Sequence, residues 1–231
     1  MRILAFSDWR IQNKNDIISF LQNLSEPVDF ILYGGDDVDR FSDEDFIRIS
    51  QHAKQQKILL VYGNDDIFFP TDRVLPSYVH NLYETLFIFG DYAILGIEGA
   101  TIGPGFLHTE KEIEMHLKKQ YSKVKGKKII ILSHPPPNGI LDLGIRFAGT
   151  DINGHKKPSH IGSKALRNFM QKREVFLIIC GHSHSCGRKS TKIGNCTVIN
   201  VASHDSIDAK GNFALIEIEA PHTNLCVVSG S

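Results

Sequence analysis

The sequence predicts an α/β fold in a single domain over residues 1–231. Apolar runs of strand length alternate with apolar residues at helical spacing through the first 61 residues. That β-α-β-α-β rhythm calls for parallel strands joined by right-handed crossovers. The composition agrees, with 42% hydrophobic and 23% charged residues. Such a balance suits a packed core and excludes a disordered chain, a collagen or a coiled coil. A chain of this length buries about 70% of its unfolded surface, so its core needs no disulfide staples.

Ile3–Phe6 reads as the first strand. Ile17, Phe20, Leu21 and Leu24 recur at i, i+3, i+4 and i+7, which predicts an amphipathic helix over Lys14–Leu24. Phe30–Tyr33 is the second strand. Ser42 with Asp45 three residues on resembles a capping box and opens a helix towards Gln55. Ile58–Val61 is the third strand, and Leu86–Phe89 with Tyr92–Leu95 flanks Gly90-Asp91 as a hairpin. Gly103-Pro104-Gly105 is a loop, Glu110–Lys125 a polar helix and Lys128–Leu132 a strand. Pro135 to Ser159 is rich in Pro and Gly and reads as a long functional loop. Ser163–Gln171 is a helix and Val175–Ile179 a buried strand. Lys192-Ile193, Cys196–Asn200, Phe213–Glu219 and Leu225–Val228 close the chain as antiparallel strands. The oligomeric state is not legible in the sequence, although an exposed edge among these last strands could pair with a second copy in a homo-oligomer.

Charge and cysteine usage narrow the class. Lys+Arg and Asp+Glu both number 26, so the net charge is zero. No global basic field exists to hold nucleic acid or an anionic membrane. The apolar N-terminal run is broken by Asp8 and Arg10, too short for a signal segment or a membrane span. Cys180, Cys186, Cys196 and Cys226 form no CxxC pair. They read as reduced structural thiols of a cytoplasmic protein.

The chemistry lies at the carboxyl ends of the strands. Asp8 comes directly after the first and Gly35-Asp36 after the second. Gly63-Asn64-Asp65-Asp66 succeeds the third, His134 the strand at Lys128, and Gly181-His182-Ser183-His184 the strand at Val175. In open α/β sheets ligands bind beyond these carboxyl ends. One Asp or His in such a place is commonly a cap or a core residue. Five strands ending this way call for a shared site. Asp8, Asp36, Asn64, His134, His182 and His184 supply oxygen and imidazole without thiolate, a set that suits Mn, Fe or Zn. Two such metals clamp a phosphate and activate water. The adjoining glycines permit tight turns that aim these side chains inward.

In this order the residues resemble the calcineurin-like metallophosphoesterase superfamily, whose signature runs D-x-H, G-D-x-x-D, G-N-H-[DE], H and G-H-x-H. A second layer is similar to the Icc-related phosphoesterases. It comprises His134-Pro135-Pro136-Pro137, Leu141-Asp142, His160-Ile161-Gly162-Ser163-Lys164-Ala165-Leu166 and Gly194–Asn200. The resemblance implies a four-layer sandwich, two packed mixed β-sheets flanked by helices, with a dinuclear site at the strand ends. It implies one metal on Asp36, Asn64, His134 and His182, and a second on Asp8, Asp36, His184 and the histidine of D-x-H. It further implies hydrolysis of a phosphomonoester or phosphodiester, nucleotides included, by metal-activated water.

The sequence departs from the pattern twice. Arg10 replaces the histidine of D-x-H, and a guanidinium has no lone pair for a metal. One firm and one weakened metal site are therefore expected, with Arg10 either gripping phosphate or turned to solvent or a nearby Asp. Asp65 replaces the histidine of G-N-H and is either a general acid of raised pKa or a turn residue. Asn64, Asp65 and Arg10 are the catalytic candidates, and Asp39 is expected to orient a ligand. Trp9, Phe68, Phe69 and Phe106 either stack a base or, as aromatic residues more often do, fill the core. His155, Lys156, Lys157 and His160 either line the substrate mouth or are solvated. The rival to an enzyme is a degenerate metal-binding scaffold or ligand-sensing module of the same fold.

Overall fold

The computed structural model describes residues 1–9, 13–66, 74–150, 156–203, 211–218 and 226–229, without the side chains of 145–150, 156–157 and 226–229. The first half holds β1 (Arg2–Phe6), α1 (Lys14–Gln22), β2 (Phe30–Tyr33), α2 (Asp43–Ser50), β3 (Ile58–Leu60), β4 (Val79–Asn81), β5 (Phe87–Phe89) and β6 (Tyr92–Ile97). Then come α3 (Glu110–Tyr121), β7 (Lys128–Ser133), β8 (Leu143–Thr150), β9 (Lys156–His160), α4 (Lys164–Lys172) and β10 (Val175–Cys180). The chain closes with β11 (Lys189–Ile193), β12 (Cys196–Asn200), β13 (Phe213–Glu217) and β14 (Cys226–Ser229).

Two six-stranded mixed sheets carry the fold, in the orders β14-β13-β1-β2-β3-β4 and β11-β12-β10-β7-β6-β5. Strands β1, β2, β3 and β4 run parallel, with β13 antiparallel to β1. In the second sheet β6, β7, β10 and β12 run parallel, with β5 and β11 antiparallel at the two edges.

The layering arises from strand periodicity. Successive side chains point to opposite faces, and the continuous apolar runs bury both. Ile3, Ala5, Leu32, Ile130, Leu132, Leu177 and Ile179 fill the core between the sheets. Leu4, Phe6, Ile31 and Tyr33 face the other way, where Ile17, Leu21, Phe46 and Ile49 of α1 and α2 cover them. Ile129, Ile131, Ile178 and Cys180 meet Ile113 and Leu117 of α3 with Leu166 and Phe169 of α4. The result is the expected four-layer sandwich. Each fully buried Ile or Leu contributes about 1.5–3 kcal/mol, enough in sum to hold locally unfavourable backbone at the strand ends.

Some boundaries differ from the sequence reading. The Ser42–Asp45 capping box forms in both directions. Its helix stops at Ser50 rather than Gln55, because Lys54 and Gln55 donate their N–H groups to Val28 and Asp29 before β2. Pro135 to Ser159 is not one long loop: β8 and β9 pair antiparallel. Pro158 and several glycines mask the strand pattern, and among the described residues the hairpin pairs only with itself. Strand β4 is three residues of mixed character and carries no sequence signal of its own. Cys180, Cys186 and Cys196 are buried free thiols. Among the described residues no helix is long and apolar enough to cross a membrane.

A pH dependence is built into α3. His116 stacks on Tyr83 at 3.9 Å between ring centroids, and its Nε2 lies 3.2 Å from the Gly96 carbonyl. Burial pushes its imidazole down to about 4, helped by the nearby charges of His108, Lys119 and Lys123. The unfolded chain then binds the proton more readily, so His116 contributes stability above pH ~6.5 that is lost as pH falls towards 4. His116→Gln should flatten the slope of unfolding free energy over that range by on the order of 2 kcal/mol, measured by urea melts.

Candidate metal centre

The ends of β1 and β2 are stitched together first. Gly34 N–H donates to Phe6 O at 2.8 Å and Asp8 N–H to Gly35 O at 2.9 Å. Asp8 then takes the left-handed conformation, φ 57°, which turns its carboxylate back over the strand ends. Its Oδ2 accepts from Ser7 Oγ at 2.6 Å and from the His182 N–H at 3.1 Å, and its Oδ1 lies 2.9 Å from His184 Nε2. Burial opposes ionisation of Asp8, but the His184 hydrogen bond and the charges of His134 and His184 outweigh it and hold the carboxyl below the usual range.

Asp36 repeats the device at the end of β2, with φ 62°. Its Oδ1 accepts the Asp65 N–H at 3.0 Å. The turn is braced by a buried residue that sequence reasoning passed over. Asp66 accepts the N–H groups of Asp36 at 3.0 Å, Val38 at 2.9 Å and Gly63 at 2.7 Å. One carboxylate thus locks the turn after β2 to the turn after β3. Burial pushes its carboxyl up to about 7, and the Asp36 charge adds to this, against backbone donors that favour the charged form. The only signal for Asp66 in the sequence was the last position of Gly63-Asn64-Asp65-Asp66.

The glycines of the motifs serve close approach more than turn geometry. A Cβ on Gly63 would lie 1.9 Å from Asp36 Oδ1, and one on Gly181 would lie 2.1 Å from Ser7 Oγ and 2.4 Å from Asp8 Oδ2. Gly35 needs both its left-handed φ of 90° and the space, since a Cβ there would lie 2.4 Å from Gly63 N. The left-handed turns themselves fall on Asp8, Asp36 and His182, the site residues.

Asn64 and His134 define the centre. Asn64 Nδ2 donates to Asp65 Oδ1 at 2.7 Å and to Pro104 O at 3.2 Å, which turns Oδ1 inward. His134 Nδ1 faces the Gly34 carbonyl at 2.8 Å, so that nitrogen carries the proton. Its Nε2 lies 3.1 Å from Asn64 Oδ1 and 3.4 Å from Asp36 Oδ1. Three polar atoms therefore converge in a buried space that calls for positive charge among them, supplied by a bound cation or by a proton on His134 Nε2. Burial opposes a charge on His134, yet the carboxylates of Asp36 and Asp8 raise its pKa above the usual value.

His182 has φ 61°, and its buried Nε2 finds no hydrogen-bond partner among the described residues. Burial and the neighbouring His134 push its imidazole down to about 4, which keeps the lone pair free. The two rings lie 5.1 Å apart. Ligand atoms of Asp8, Asp36 and His184 lie within 4.8 Å of one another. Both donor sets foreseen from the sequence are thus brought together. Carboxylate and amide oxygens with imidazole nitrogens, directed inward and largely buried, fit divalent metal ions.

Other expectations fare differently. Arg10, Phe68, Phe69 and His155 lie outside the described residues, as do the side chains of Lys156 and Lys157. Asp65 holds the Asn64 amide. Asp39 is exposed on a 3-10 turn, and bracing falls to Asp66 instead. Trp9 is fully buried, edge-on to Phe6 at 5.7 Å, a core residue. Phe106 packs against His108 at 4.7 Å. His160 is exposed and paired with Asp142.

The two-sheet sandwich with its strand-end donor set is the metallophosphoesterase fold. The chain belongs to the calcineurin-like phosphoesterase family, whose model matches residues 1–186. Members of that family use divalent metals. A curated relative, the probable glycerophosphodiester phosphodiesterase GpdQ of Arcobacter nitrofigilis, is 25% identical over 86% of this chain and 74% of its own. One solved crystal structure superposes with a TM-score of 0.66 at 16% identity, covering 100% of this chain and 99% of that one. The phosphopantetheinyl hydrolase PptH of Mycobacterium tuberculosis superposes with a TM-score of 0.51 at 12% identity, over 87% of this chain and 89% of that one. These two likenesses are likenesses of fold.

Two outcomes test the geometry. Gly63→Ala and Gly181→Ala should each abolish tight metal binding. Gly90→Ala, whose Cβ meets nothing within 4 Å, should cost only the left-handed strain of about 1 kcal/mol and leave binding intact. Calorimetric Mn²⁺ titration and thermal melts of the three variants read this directly. Asp66→Ala strands three buried N–H donors and should lower stability by about 3 kcal/mol or more, with metal affinity down at least tenfold.

Proposed function

We propose that this protein is a metal-dependent phosphoesterase, acting on phosphodiesters first and on phosphomonoesters as the alternative. The observation that carries the reading is the convergence of Asp36 Oδ1, Asn64 Oδ1 and His134 Nε2. The family supports phosphoester hydrolysis, and the name of the GpdQ relative favours a diester. Asp36, Asn64, His134 and His182 would hold one divalent ion, manganese, iron or zinc, and Asp8, Asp36 and His184 the other, with Asp36 shared. When bound, such ions neutralise phosphate charge and make water a nucleophile at neutral pH.

The chain's own residues do the rest. His134 is fixed in one tautomer by Gly34, and Asn64 in one amide orientation by Asp65 and Pro104. These fixed dipoles meet charge developing on phosphorus oxygens without reorganising. Asp65 acts here as the holder of Asn64. Arg10 stands where the superfamily pattern has a histidine and cannot ligate, so the Asp8–Asp36–His184 position has three protein ligands and the weaker affinity. The guanidinium is suited to a bidentate grip on phosphate. Buried free thiols suit the reducing cytoplasm.

Plasma mass spectrometry for bound metal, with hydrolysis of bis(p-nitrophenyl) phosphate and p-nitrophenyl phosphate in added Mn²⁺, tests the reading. Wild type should bind one ion tightly and a second weakly, and turn over at least one ester. His134→Ala should lose the tight ion and the turnover together. Bound metal with no turnover of either ester would reject the enzyme in favour of a binding module, with the Arg10 departure as its reason.

A further inference from the structure

Among the described residues, the metal centre's own side chains are held as ligands or braces and none is placed to give the leaving group its proton. Asp65 stands where the superfamily pattern places a histidine, and its Oδ1 is taken by the Asn64 amide at 2.7 Å. We propose that His160, positioned by the buried carboxylate of Asp142, is that proton donor, a role that rests on the phosphoesterase reading above.

The pair has the geometry of an oriented acid–base. Asp142 is fully buried. Its Oδ1 lies 2.7 Å from His160 Nδ1, and its Oδ2 accepts the Gly139 N–H at 2.8 Å and the Gly162 N–H at 3.2 Å. Both oxygens are pinned, so the carboxylate fixes the imidazole with the proton on Nδ1. The side chain of His160 is 58% exposed, which leaves Nε2 open to a ligand. The neighbouring Leu141 sits at φ 49°, a left-handed strain on a bulky residue that accumulates where function requires it.

Its place in the fold ties it to the metal ligands. His160 pairs with Leu143 at the first rung of the β8–β9 hairpin. The Leu143 carbonyl accepts from Ser183 Oγ at 2.6 Å and from Ser185 Oγ at 2.5 Å. Ser183 lies between His182 and His184. Asn200 Nδ2 adds bonds to Leu141 O at 3.1 Å, Gly181 O at 3.2 Å and Ser183 O at 3.3 Å. The base of the hairpin is therefore fastened to the Gly181–Ser185 segment, and His160 stands one strand away from it.

The step balances simply. The oxygen of a water molecule bonds to phosphorus as the bond to the leaving oxygen breaks. The electron pair goes to the leaving oxygen, which takes the Nε2 proton of the His160 imidazolium and leaves a neutral ring with its remaining proton on Nδ1 against Asp142. The attacking water releases its proton to solvent, and solvent returns one to His160. An alkoxide leaving group needs this proton, whereas p-nitrophenolate departs without it. A merely structural Asp142–His160 pair would not distinguish the two.

The test compares wild type, His160→Gln, His160→Asn and Asp142→Asn in saturating Mn²⁺ on bis(p-nitrophenyl) phosphate and on glycerophosphoethanolamine. Substitution of His160 should lower kcat on the alkyl diester about 100-fold or more, and change kcat on the nitrophenyl diester by no more than about threefold. Asp142→Asn should show the same selectivity at smaller size. The ratio of the two rates on one preparation is independent of how much protein is folded. Equal losses on both esters, or a loss on neither, overturn the proposal. A wild type active on the nitrophenyl ester alone also overturns it and leaves the phosphoesterase reading intact. A wild type that hydrolyses neither ester removes that reading and the proposal with it.

Discussion

Electron-pair repulsion at the strand ends is the constraint on which the rest of the structure depends. Asp36 Oδ1 and Asn64 Oδ1 lie within 3.4 Å of His134 Nε2, and His182 Nε2 in the same buried region has no hydrogen-bond partner among the described residues. Crowding lone pairs in a low dielectric is costly unless positive charge lies among them. Every nearby feature keeps these atoms from turning away: the Gly34 carbonyl on His134, Asp65 and Pro104 on Asn64, Ser7 and the His182 N–H on Asp8. A preformed cradle of this kind binds a cation without having to order itself first.

The backbone shares that cost. Asp8, Asp36 and His182 each hold a left-handed φ, at about 1–2 kcal/mol per residue, and Asp37 and Leu141 add to the count. Local interactions alone would not keep such turns. They persist because the strands they follow are anchored in two sheets, each covered by helices on its outer face. Asp66 transmits the anchoring directly, since one carboxylate joins the turns after β2 and β3. The glycines then decide how near the turns may come, for neither Gly63 nor Gly181 has room for a single added carbon.

Much of this is legible in the chain before it folds. The apolar runs at Ile3, Phe30, Ile58, Lys128 and Val175 mark their strands to within a residue or two, because strands buried on both faces leave an unbroken hydrophobic signature. The ligand set is legible because each donor stands within four residues of the end of such a run. Strand β4 and the β8–β9 hairpin are not, since their pairing rests on backbone hydrogen bonds that three mixed residues, or a segment rich in Pro and Gly, do not announce. Asp39 and Asp66 escape the sequence for a related reason. Both are acidic residues in turns, and only burial separates the exposed one from the one that braces the site.

The sequence by itself determined the fold class, the family and the identity of the donors, because period-two and period-3.6 hydrophobicity and short motifs are local properties of the chain. Tertiary structure alone decided that the Asp8 carboxylate, just past β1, meets the His184 imidazole, past β10 and 176 residues away. It also decided that Asp66 is a brace, and that Asp142 lies buried behind an exposed His160. Those outcomes depend on distances between residues remote in sequence, and a distance across the fold is set only when both sheets have packed.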